Sequence, residues 1–143
     1  MVHGHCEEST GGMSGYEAEV LARQLAALGR DLDAEVAVLG ELEETSADME
    51  GEFRRLKSSY EDCMDDVFIH GEGGVDLRKA EARLACTAQR ALMFEANTEW
   101  DKARGRVFVQ QANLRALHAR IEVGRSLLSR EKSLLSLAGI NET

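Results

Sequence analysis

The chain has 143 residues, 43% hydrophobic and 30% charged, with no proline and a formal net charge of −9. That balance is too apolar for a disordered chain, and its sign disfavours nucleic acid or an anionic membrane surface as the main ligand. Only seven residues are aromatic, so a thin helical seam is easier to build than a thick core, and the acidity suits a basic partner.

Residues 1–15 carry four glycines and no helical periodicity, and are read as a flexible tail. His3, His5 and Cys6 are ligand types for copper, nickel or zinc, but nothing organises the tail, so no metal or other cofactor is expected. Ser14 with Glu17 three residues later has the pattern of a capping box. Helical character then runs over about 16–69. His70-Gly71-Glu72-Gly73-Gly74 is the one strong punctuation, and reads as a turn over 70–74. A second helical run covers about 75–138. Gly139 is its expected C-cap, and 139–143 form a short C-terminal tail. A short turn makes antiparallel neighbours. The fold class is therefore all-α: a long antiparallel two-helix coiled-coil hairpin over 16–138, with pairing of hairpins into a four-helix assembly as a further form.

Apolar spacing supports this. One stripe runs from Leu21, Leu25, Leu28 and Leu32 to Met49, Phe53, Leu56, Tyr60, Cys63 and Val67. The other runs from Ala82, Cys86, Gln89 and Met93 through Trp100, Val107 and Leu114 to Ile121, Gly124 and Leu128. Steps of three and four alternate, as in a coiled-coil seam. Folding at 72–73 sets Tyr60 against Cys86, Phe53 against Met93, Leu25 against Ile121 and Trp100 against Ser46. Cys63 then falls opposite Ala82. The two seam cysteines are out of step by about a turn and are read as buried free thiols. Three cysteines at wide spacing fit no disulfide framework. A reducing, intracellular compartment follows from that reading. The small, polar first fifteen residues show no leader, and no apolar run is long enough to span a bilayer.

Charge separates the two runs. Residues 16–70 hold 15 acids and 5 bases, and residues 75–138 hold 7 acids and 12 bases. Attraction across the flanks of the seam is expected to select the partner helix more than to stabilise it. Gly29, Gly40 and Gly51 recur at intervals of eleven in the first run. They mark either the close approach of another helix or a solvated face.

Nothing here carries catalysis. Glu61, Asp62, Asp65 and Asp66 lack the ligand spacing of a calcium loop. Gly71–Gly74 lacks the strand and lysine of a phosphate loop. Arg115, Arg120, Arg125 and Arg130 step by five and spiral around the axis rather than forming one basic stripe. His70 and His118 have no companions at catalytic spacing, and a two-helix hairpin is too thin to enclose a pocket.

Two sets of apolar residues exceed what the seam can cover. Leu134, Leu135 and Leu137 fall opposite the polar residues 8–11, and with Ile140, Leu127 and Leu128 form an overhang of the kind that marks an interaction site. Leu77, Leu84, Leu92, Phe94, Phe108 and Val109 widen the apolar arc of the second helix beyond a two-stranded coil. Phe68 and Ile69 add a smaller patch at the turn. The function expected is a non-enzymatic coiled-coil adaptor or assembly subunit. It would bind protein partners, a second copy among them, by helix-on-helix packing, without nucleic acid or membrane insertion. One alternative is an export or cargo chaperone: in length and architecture alone the chain resembles the small coiled-coil stalk proteins of flagellar and type III export systems. Another is a compact four-helix bundle, kinked near Gly40, Ser46 and Gly105, with a small-ligand pocket near Trp100.

Overall fold

The computed structural model describes residues 15–141, with side chains to Gly139. Ser14 and the His3, His5 and Cys6 group lie outside the described residues, as does the side chain of Ile140. Three helices are present and no strand among the described residues: α1 Gly15–His70, α2 Val75–Ala85 and α3 Thr87–Asn141. α1 packs against α3 as an antiparallel hairpin. With no proline anywhere, nothing removes a backbone donor from these long runs. α1 is helical through Gly40 and Ser46, and α3 through Gly105 and Gly139, so the expected cap at Gly139 is overrun.

Local chemistry ends α1 one residue later than expected. His70 Nδ1 donates to the Asp66 carbonyl at 2.9 Å, satisfying an acceptor that the last turn leaves open. Gly71 follows, where a Cβ would stand 3.1 Å from the Val67 carbonyl and 3.3 Å from Arg78 Cγ. Gly73 has φ +94°, a left-handed conformation that glycine adopts at little cost. α2 starts from an extended Gly74 with no side-chain cap, and Asp76 offers negative charge to its first turn.

The chain forms two compact units, residues up to Val36 with those from Ala112 onward, and Ala37–Gln111. In the second, the buried residues are small: Ala82, Cys86 and Ala103, with Gln110. Half-buried Met49, Phe53, Leu56, Tyr60, Met93, Ala96 and Trp100 complete the seam. Phe53 and Trp100 stack with centroids 5.5 Å apart, and the Arg104 guanidinium lies 4.0 Å over the indole. In the first unit, Ala18, Leu114 and Ile121 are buried. Gly124 is the hole for Leu25: a Cβ there would come within 2.5 Å of Leu25 Cδ2. Nearly every residue of the two expected stripes is buried or half-buried; Val36 is exposed instead.

Three expectations are corrected. Cys63 and Cys86 are not free thiols but a disulfide, with Cα atoms 6.0 Å apart. The register differs accordingly. Cys63 meets Cys86 rather than Ala82, Leu25 fits against Gly124 where Ile121 is expected, and Trp100 stacks on Phe53, one heptad from the expected Ser46. The cause is visible at the turn. Gly71 stands against Arg78 and Gly73 against Leu77, so the loop itself faces the first turn of α2. The midpoint of the glycine run is therefore not the midpoint of the hairpin. Finally, the second helical run is interrupted at Cys86, which has φ −105° and ψ 20°. Helical hydrogen bonds persist on both sides, Cys86 to Ala82 and Arg90 to Cys86. The Thr87 hydroxyl donates back to the Arg83 and Leu84 carbonyls at 3.0 and 2.9 Å, a contact that bends helices.

Surface ion pairs run along single helices, among them Arg23–Glu19, Arg54–Glu50, Lys102–Glu99 and Arg125–Glu122. Such i,i+3 and i,i+4 pairs add a few tenths of a kcal/mol each, about 0.2–0.5. Arg55 donates twice to Glu52, at 2.8 and 3.1 Å, and this hydrogen bonding holds the Glu52 carboxyl below its ordinary range.

Candidate partner-binding surface

The residues expected to lie outside the seam do so. In the Ala37–Gln111 unit, Leu84 is 79% exposed, Phe108 66% and Ile69 69%, and Leu77, Leu92, Phe94 and Val109 are exposed as well. Phe68 is half-buried instead, with the Arg78 guanidinium 5.6 Å over its ring. Arg90 covers Phe94 in the same way at 5.1 Å. These exposed residues are not one patch. Leu77 and Leu84 are seven apart and opposite the seam. Phe94 and Phe108 are fourteen apart on one flank. Leu92 and Val109 lie on the other flank. On that second flank, Met49, Glu52 and Leu56 with Leu92, Ala96 and Glu99 border one open groove. Leu42 with Gly105, Arg106 and Val109 border another.

In the other unit, Leu127, Leu134, Leu135 and Leu137 are exposed and Leu128 is half-buried. The overhang is smaller than expected, because the register shift moves these leucines one turn toward the described start of α1. Counting one heptad outward from the Leu25–Gly124 contact reaches Ala18 and Glu131, both buried. Leu21, Leu25 and Leu28 of α1 with Ala119, Val123 and Leu127 of α3 line an open, largely apolar groove, with Gln24 and Arg120 at its edge. Val123 was missed by sequence reasoning. It lies fourteen residues beyond Val109 and fourteen before Leu137, a heptad signal hidden because alanine holds the position between it and Val109.

Among the described residues, no group of three His, Cys, Asp or Glu side chains could hold a metal ion. No described helix is long and apolar enough to cross a membrane. Trp100 is stacked on Phe53 and covered by the Arg104 guanidinium. No protein-family model, curated protein or solved structure matches the chain. The class of protein is thus defined by its fold alone: an all-helical hairpin whose seam is thin and whose flanks are apolar.

Proposed function

We propose that the protein is a non-enzymatic coiled-coil adaptor or assembly subunit that binds protein partners by helix-on-helix packing. One observation carries this reading: large apolar side chains outside the seam stand in solvent in heptad-related pairs, Leu77 with Leu84 and Phe94 with Phe108. Large apolar side chains repeated along a helix outside its seam are the pattern by which one helix receives another. The Ala37–Gln111 unit holds 16 acids and 10 bases, so a basic amphipathic helix suits it best. The grooves are open to solvent and offer no water-excluded chamber, which favours binding over chemistry. The proposal places the protein inside the cell. The cystine is the feature that speaks against a steadily reducing compartment, and a thiol count on protein from its source decides between them.

Affinity capture from the source organism tests the reading with two double variants, Leu84→Asp with Phe108→Asp and Leu134→Asp with Leu135→Asp. Each is expected to lose partners held by the wild-type chain, with helical circular dichroism unchanged. Truncating central interface side chains weakens binding by about 2 kcal/mol or more, roughly thirtyfold. Identical partner recovery by wild type and both variants would sink the adaptor reading.

A further inference from the structure

We infer that the apolar groove of the first unit, between α1 and α3, is a self-association surface whose occupant is the same groove of a second copy. This deepens the adaptor reading and rests on it only in supposing that the exposed flanks are used for helix packing.

Leu21, Leu25 and Leu28 form one wall, and Ala119, Val123 and Leu127 the other. Val123 is 61% exposed and Leu127 43%. Gly124 lets Leu25 sink toward α3, which lowers the floor between the walls. A surface of this form is a two-helix platform, and a second two-helix platform is its natural complement.

Charge selects the occupant. In α1, residues 15–36 carry five acids and two bases; in α3, residues 112–141 carry two acids and five bases. The described residues of the unit therefore balance at seven acids and seven bases, and residues 1–14 and 142–143 add three acids, whereas Ala37–Gln111 carries 16 acids against 10 bases. Over the described residues, the groove-bearing helices of two copies can therefore approach without net repulsion. A two-fold axis parallel to the helices lays the acidic α1 of one copy over the basic α3 of the other, and makes the reciprocal contact at the same time. Within one chain Asp31 and Arg120 line a second open groove, which adjoins the first at Arg120, and so lie at about the same level. The axis keeps that level, so Asp31 of one copy comes to face Arg120 of the other. A foreign basic helix would match α1 but repel α3; a foreign acidic helix would do the reverse.

Analytical ultracentrifugation of the full chain tests this, with melting followed by circular dichroism. The wild type is expected to sediment as a reversible dimer. Val123→Asp should weaken dimerisation about a hundredfold or more at unchanged helicity, because a two-fold interface receives the charge twice. Arg120→Glu and Asp31→Lys should each weaken it about tenfold, and an equimolar mixture of the two should recover most of the dimer, since each restores the other's complement. That recovery cannot come from the intrachain neighbours, which stay mismatched in the mixture. A wild type that is monomeric at every concentration overturns the inference, as does a mixture no stronger than either variant alone. If Val123→Asp fails to fold, the mixing experiment decides by itself. A monomer in which a benzophenone side chain at Val123 crosslinks to residues 1–14 assigns the groove to the chain's own N-terminal segment and overturns the inference as well. A monomer that still captures partners through Leu84 and Phe108 overturns this inference alone. A dimer that captures nothing overturns the adaptor reading alone.

Discussion

Serine at both Cys63 and Cys86 is expected to lower the stability of the hairpin by about 3 kcal/mol, the loop-entropy value for a crosslink of this span. The two cysteines are separated by 23 residues, and their bridge closes the loop that contains the turn. Without it, the unfolded chain regains the freedom of that loop, and the folded chain must hold the α1–α2 contact with small side chains. Ala82 is the nearest buried residue on the α2 side, so little apolar area is available to compensate. For a chain of this size the loss corresponds to about 6–12 °C in melting temperature. Thermal unfolding followed by circular dichroism measures it, comparing the oxidised wild type, the wild type in excess dithiol and the double serine variant. The last two should coincide. Equal melting of all three would mean that the cystine does not form in solution.

A second readout on the same samples separates stability from register. Phe53 and Trp100 stack, and Leu25 occupies the hole at Gly124, in a register displaced from that of the turn midpoint in the same sense as the cystine. Packing and crosslink therefore agree. Reduction at low temperature should leave Trp100 emission unchanged. A change in emission that precedes unfolding would show that the cystine, rather than the seam, holds the register.

What the sequence made legible follows from which features are local. Heptad spacing is carried by single side chains at fixed intervals, so both stripes could be read, and with them the outward positions of Leu84, Leu92, Phe94 and Phe108. Register depends on how four loop residues share the reversal, and the glycines of the turn do not announce that the loop packs against the first turn of α2. The consequence is chemical: a displacement of one turn sets Cys63 against Ala82 and makes a cystine look like two free thiols. The break at Cys86 was hidden for a related reason: Thr87 is an ordinary helix residue until its hydroxyl turns back onto Arg83 and Leu84. Val123 is hidden because Ala116 holds the heptad position between it and Val109, so the apolar repeat is broken where the groove begins.

The other large effect concerns the three interior glycines of α1. Replacing Gly29, Gly40 and Gly51 together by alanine is expected to raise stability by about 2–3 kcal/mol, from up to ~1 kcal/mol of helix propensity at each site. A Cβ at any of the three would meet nothing within 4 Å, so no packing cost offsets the gain. Gly124 is the control. Its Cβ would stand 2.5 Å from Leu25 Cδ2, and Gly124→Leu should instead cost about 1–3 kcal/mol through overpacking. Melting curves give the two signs. The binding assay then decides what the glycines are for. If the triple alanine variant is stabilised and still captures its partners and dimerises, the eleven-residue spacing is a solvated face with no further role. If it is stabilised but loses a partner, the open space at these positions receives another helix. In that case the chain gives up helix stability where it needs a close approach, and the glycines of α1 join Leu84 and Phe108 as part of the binding surface.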